Sequence, residues 1–269
     1  MNVFFLELRN LRKSALISTL SIGGVIFAML AFFPSMQTEA MQALTGAKME
    51  GIDPSLLAAL GLSELMDFSI LTNFFGYALQ FITLAIMVIA TQQAVGLLVK
   101  EETEGTIEYL LSKPMSRTEI FIQKGLAHFT LLLGMNIAWC MVTVAGYLLF
   151  SDYSLGAAMK ESAIFFSAIL FVGLVFSAVG LLVSALLRSG RGAAGITIAI
   201  VFSTFLLGMM SITVSGLEFL FWFSPMEWIK STKLMHEGIL WQEWMAGALV
   251  MVCAPIAAWL RYCRKDLSV

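Results

Sequence analysis

The stretch "LLVKEETEGTIEYLLSKPMSRTEIFIQKG", Leu97–Gly125, holds five of the chain's eighteen acidic residues and four of its sixteen basic ones. Its surroundings are apolar: an uncharged run from about Ile70 to Val99 leads into it, and another from Gly125 to Phe150 leads away. Each run exceeds the roughly 20 mostly apolar residues that a helix needs to cross the hydrocarbon core of a bilayer. The quoted stretch is therefore a short polar link between two membrane helices, and the fold class that follows is all-α and polytopic.

Working outward, four further runs have span length: Ser14–Phe33, Ala163–Leu187, Ala193–Ser215 and about Trp241–Leu260. The last has Glu243 at its start and Pro255 inside it, where neighbouring helices must satisfy the backbone groups that proline frees. Composition agrees, with 59% hydrophobic and 13% charged residues and a mean hydropathy of +0.88, against about a quarter charged in soluble domains. The six spans predict one membrane domain over residues 1–269, with no room for a sizeable soluble domain besides. A net charge of -2 argues against a nucleic-acid partner, since phosphate binding needs clustered Lys and Arg on one face. Cys140, Cys253 and Cys263 lie far apart in or beside apolar runs, a spacing that fits packing residues rather than a metal or disulfide framework.

Lysine and arginine set the orientation, because short cytoplasmic loops are enriched in them. Twelve fall on the side of the quoted stretch and both termini, and Lys48, Lys160, Lys230 and Lys233 fall on the other. That asymmetry predicts a multi-pass protein of the inner or plasma membrane with cytoplasmic termini. The first apolar run is longer than the core of a signal peptide and lacks a small-residue cleavage site after it, so it is expected to remain as a span. Before it, Phe4, Phe5, Leu8 and Leu11 recur near helical spacing among charged residues, which predicts an interfacial helix over 1–13. An outer loop is expected over 34–69, with a short helix started by Asp53 and Pro54. A re-entrant or interfacial outer hairpin is expected over 216–240, broken at Pro225 and rich in boundary tryptophans.

Within the charged link, 100–124, Thr106 to Leu111 read as a short helix that stops before Pro114. Ser116 and Glu119 then form a capping box that starts a helix continuous with the third span. Ile107, Leu110 and Leu111 share a face, leaving Glu101, Glu102, Glu104 and Glu108 to water or to a partner. Two readings fit this elbow: a docking knob for a soluble protein, or an interfacial loop whose leucines lie among the headgroups.

The residue order Glu104, Gly105, Thr106, Leu110, Leu111, Pro114, Ser116, Arg117, Ile120 and Lys124 resembles the cytoplasmic loop of permease subunits of type-2 ATP-binding cassette transporters. Gln123 stands where that family often has glycine. The resemblance implies a coupling helix, with Glu104, Gly105, Thr106, Glu108, Leu110, Leu111, Pro114, Ser116 and Arg117 contacting a separate ATPase subunit. It further implies a second permease subunit, ATP and magnesium bound on the ATPase partner rather than on this chain, and transport that is usually outward. The chain has no G-x-x-x-x-G-K-[ST] phosphate loop, consistent with a separate motor.

Other functions are testable against the same residues. A scaffold or sensor that docks a partner without transport would use the same loop. An intramembrane metalloprotease would need the Glu101-Glu102 pair to be followed by arginine, but Thr106 stands there, and it would need His128 and His236, which the topology puts on opposite sides. No catalytic or metal residue is assigned. Gln80, Asn136, Thr197 and Thr204 are polar residues inside spans, and either line a substrate route or bond neighbouring helices. Gly173, Ser177, Gly180 and Ser184, spaced along one face of the fourth span, predict a close helix contact within the chain or across a dimer.

Overall fold

A computed structural model of the chain describes residues 3–38, 67–105, 115–187 and 189–265. Among these the regular structure is helical: α1 (Val3–Met36), α2 (Leu71–Glu104), α3 (Arg117–Phe150), α4 (Leu155–Leu186), α5 (Ala193–Thr213), two 3₁₀ turns (Glu218–Phe223 and Glu227–Ile229), α6 (Ser231–His236) and α7 (Trp241–Arg264). Six of these helices are long and apolar enough to cross a membrane. Helices α1 to α3, at 34 residues each, are about 51 Å long at ~1.5 Å per residue and overshoot a hydrocarbon core of roughly 30 Å. Their ends therefore stand clear of the membrane and can carry charge. The expected short helix at Asp53 and Pro54 lies outside the described residues.

The most apolar windows of α2 and α4 are each 67% buried, against 28% for α1, 39% for α3, 22% for α5 and 17% for α7. Helices α2 and α4 thus form the centre, with α1 and α3 packed as a pair on one side, α7 against α4, and α5 against α2 and the first 3₁₀ turn. The small-residue face of α4 explains how close the central pair lies. A Cβ at Gly180 would stand 2.9 Å from the Thr91 carbonyl and from the Ala94 methyl carbon, and the Ser184 hydroxyl accepts from the Leu98 N–H at 2.9 Å. The stripe predicted from the sequence therefore contacts helices of this same chain.

No break in the helix separates residues 3–13 from the first span. The start of α1 is held against α3, where the Phe4 N–H, one of the donors that a helix N-terminus leaves free, donates to Gln123 Oε1 at 3.2 Å. Gln123, the departure from the resembled pattern, has a local structural use. At its other end, α1 crosses α3 where a Cβ on Gly146 would run into Leu30.

Candidate functional site

At one end of the bundle, called here the loop end, α2 closes at Gly105. Its φ of 68° is left-handed, a conformation glycine adopts without penalty, and its N–H bonds back to the Glu101 carbonyl. Thr106, Glu108, Leu110, Leu111 and Pro114 lie outside the described residues. The chain re-enters at α3, where the Ser116 N–H donates to Glu119 Oε2 at 2.8 Å and the Glu119 N–H donates to Ser116 Oγ at 3.2 Å, the capping box read from the sequence.

The two flanks of this loop are bonded to α1, to the link between α4 and α5 and to the end of α7. Arg117 donates to the carbonyls of Tyr262 (3.4 Å), Cys263 (3.2 Å) and Lys265 (2.8 Å), which terminate α7. Thr118 Oγ1 accepts from the Trp259 indole N–H at 3.0 Å. On the α2 flank, Glu102 binds Lys265 Nζ through both oxygens, at 2.7 and 2.8 Å, and the same ammonium donates to the Leu187 carbonyl at 2.6 Å. Thr103 Oγ1 accepts from the Gly190 N–H at 2.7 Å, tying in the link between α4 and α5. Lys124, 1% exposed, pairs with Glu101 and lies 3.4 Å from Glu7 of α1.

This corrects the expectation that Glu101 and Glu102 face water or a partner. Helix α2 runs on to Glu104 rather than ending at the membrane, which turns both carboxylates toward lysines on α3 and at the end of α7. Glu104 and Gly105 are exposed, as that reading requires. Sequence reasoning also missed Glu7 and Lys265, because a charge near a chain end reads as solvated until its partner is placed in space. The two carboxylates that the protease reading would spend on a metal are paired with lysines here. Among the described residues no His, Cys, Asp or Glu group has the makings of a metal site.

The opposite, hairpin end carries a second set of buried charges. The 3₁₀ turns and α6 lie over α2, α4 and α5, and the sequence signal of a break at Pro225 matches the interval between the two turns. Glu227, 4% exposed, sits 2.6 Å from Lys230 Nζ. Burial raises its pKa above the usual glutamate value, and the ammonium groups of Lys230 and Lys233 pull in the other direction. Lys233 also pairs with Glu243, whose second oxygen accepts the Leu240 N–H at 2.9 Å and caps α7. The acidic residue that interrupts the last span is thus its N-terminal cap. Glu161, unremarked in the sequence, accepts from the Tyr147 hydroxyl (2.9 Å), the Thr72 hydroxyl (3.1 Å) and the Tyr153 hydroxyl (3.3 Å). The close spacing of two tyrosines and a glutamate around one short link was its only signal.

Of the four span residues weighed for a substrate route, Gln80 lines a crevice at the hairpin end, together with Thr83, Glu227 and Lys230. Asn136 is buried in α3 and Thr197 in α5, while the Thr204 hydroxyl donates to the Val201 carbonyl at 2.8 Å. Those three do not line the crevice.

Among curated proteins none matches the chain. The sequence model of one family, described as ABC-2 family transporter protein, matches residues 1–267. This match covers all six of the helices long and apolar enough to cross a membrane. The chain belongs to the ABC-2 family of transporter proteins, and is a membrane component of such a transporter.

Proposed function

We propose that this chain is the permease of an ATP-driven exporter, with the loop 106–114 seated against a separate ATPase subunit on the cytoplasmic side. Two permeases and two ATPases would make the working assembly, with ATP and magnesium on the ATPases. The observation that carries this reading is the state of the loop's flanks. Glu101, Glu102, Thr103, Arg117, Thr118 and Lys124 are bonded to α1, to the link before α5 and to the end of α7. A push on the loop would therefore be delivered to several spans together, which is what coupling between a motor and a membrane domain requires. Exposed Glu104 and Gly105 border the surface on which the motor would bear.

The test is substrate-stimulated ATP hydrolysis by the reconstituted complex. Gly105→Pro removes the left-handed C-cap and the N–H that closes α2, and Leu110→Asp puts a charge in place of one of the loop's apolar residues. Both are expected to abolish stimulation. Unchanged binding and stimulation in both variants would refute the coupling role, and ATPase binding without any stimulated hydrolysis in the native chain would favour a scaffold. Sidedness has its own measurement: in intact cells Ser116→Cys is expected to resist an impermeant thiol reagent, and labelling from outside would invert the topology.

A further inference from the structure

The outward face of α1 carries three cations at the loop end. Arg9, Arg12 and Lys13 are exposed, and one turn further along Leu16, Ile17 and Leu20 are 61%, 66% and 75% exposed. Their spacing of three, four and seven positions puts all six residues on one side of the helix. Glu7, the acidic residue of α1, lies on the other side, buried where it faces Lys124 of α3.

Two observations say what meets this face. The first is its level: the apolar run of α1 begins at Ser14, and at ~1.5 Å per residue Arg9, Arg12 and Lys13 stand within about 8 Å of that boundary. A bilayer of roughly 40–45 Å with a hydrocarbon core of about 30 Å leaves about 5–8 Å of headgroups on each side, so the three cations lie at the depth of the lipid phosphates. The second is charge. Among the described residues Arg9, Arg12 and Lys13 have no ion pair, whereas Lys124, Lys265 and Arg117 at the same end are each bonded within the protein. A second copy docked through this face about a twofold axis would set these cations against their own counterparts, which like charge opposes. An anionic lipid meets them without that penalty.

We infer that this face of α1 is a binding site for an anionic phospholipid, its phosphate among Arg9, Arg12 and Lys13 and its acyl chains along Leu16, Ile17 and Leu20. Arginine offers a phosphate two parallel N–H donors as well as charge. A zwitterionic lipid brings the same phosphate together with its own cation, which the cluster repels, so the site discriminates by net charge. The lipid on Arg9 and the Glu7–Lys124 contact hold opposite sides of one stretch of α1, and together they fix its lateral position. Binding needs no ATPase and is the same whichever side of the membrane the loop end faces, so its failure would leave the transport reading untouched.

The experiment places the full chain in phosphatidylcholine nanodiscs with a trace of diazirine-bearing phosphatidylglycerol or of phosphatidylcholine with the same reactive chain. Labelling of residues 14–20 is then read by peptide mapping. Phosphatidylglycerol is expected to label that segment about fivefold or more above phosphatidylcholine, since each cation near an anionic headgroup is worth about that factor. In the native chain the preference should collapse in 1 M salt, where the Debye length is about 3 Å. Arg9→Gln/Arg12→Gln/Lys13→Gln should bring the two lipids close to equality. The charge-matched variant Lys100→Gln/Arg191→Gln/Arg261→Gln, spread over α2, the link after α4 and α7, should keep most of the preference. Equal labelling by both lipids in the native chain, as from a face covered by a second copy, would overturn the site. So would a preference undiminished by salt, one retained in the α1 variant, or the same loss in both variants.

Discussion

Arg117, the first residue of α3, closes the last helix by donating to the carbonyl of Lys265 at 2.8 Å, 148 positions further along the chain. The Tyr262 and Cys263 carbonyls share the same guanidinium nitrogen. A cation at a helix C-terminus meets both the free carbonyls and the negative end of the helix dipole. Charge-assisted bonds of this kind contribute about 1.5–3 kcal/mol. Arg117→Ala is accordingly expected to lower stability by about 2 kcal/mol, read from tryptophan-fluorescence unfolding of the purified chain. Arg117→Lys should recover part of that loss, because an ammonium keeps the positive charge beside the end of the helix. Native-like unfolding of the alanine variant would mean that the bonds are not made.

Lys124 tests the buried charges of the loop end. Removing one member of a buried ionic group leaves the others charged and unpaired, at a cost of about 3–5 kcal/mol, whereas replacing the whole group by neutral residues is often close to neutral. Lys124→Met, which strands Glu7 and Glu101, should therefore be more damaging than the triple variant Lys124→Met/Glu7→Gln/Glu101→Gln. Denaturation of both variants beside the native chain gives the comparison. Equal losses would show that Lys124 acts through its packing rather than its charge.

The spans and the Ser116/Glu119 cap were legible because both are local: an uninterrupted apolar run and a four-residue signature carry their meaning without reference to the rest of the chain. The last span was legible for the same reason, although the reason for Glu243 at its start emerged only with Lys233 alongside. The pairing of Glu102 with Lys265 was not legible, since its members stand 163 positions apart and each alone resembles a solvated end. Glu101 was misread by one step of the same logic. Its charge suggested water, but α2 continues past it and Lys124 stands opposite. Gln80 was legible as a polar span residue, yet its neighbourhood with Glu227 and Lys230 depends on how the hairpin folds back, which no periodicity in 216–240 announced.

Gly180 sets the spacing of the central helices. A methyl group there would meet the Thr91 carbonyl and Ala94 at 2.9 Å, and the first of these is backbone that cannot step aside. Overpacking of this kind costs about 1–3 kcal/mol. Gly180→Ala is expected to destabilise by that amount, while Gly134→Ala, at an exposed position on α3 with nothing within 4 Å, should stabilise slightly by favouring the helix, by roughly 0.5–1 kcal/mol. Thermal unfolding of the two variants under one set of conditions decides the matter, and a stabilised Gly180→Ala would place α2 and α4 farther apart than described.

Glu227 makes stability at the hairpin end depend on pH. Its carboxyl is packed so closely that a Cβ on Gly208 would stand 2.8 Å from Oε1, and this burial raises its pKa above the ordinary 4.5, against the opposing pull of Lys230 and Lys233. A folded-state pKa above the unfolded one means that the folded chain holds the proton more tightly. The stabilisation is then fully present below the ordinary glutamate range and is lost as the pH rises through the raised value. Glu227→Gln has no proton to exchange and serves as the reference. The stability of the native chain relative to Glu227→Gln should therefore be greater at about pH 4 than at about pH 8, with the decline falling above the ordinary glutamate pKa. Lys230→Met removes the nearest opposing charge, so it should move that decline to still higher pH. A difference between native and glutamine chains that stays level over this range, or one that grows with pH, would show that Lys230 and Lys233 outweigh burial and that Glu227 is held as a stabilised carboxylate.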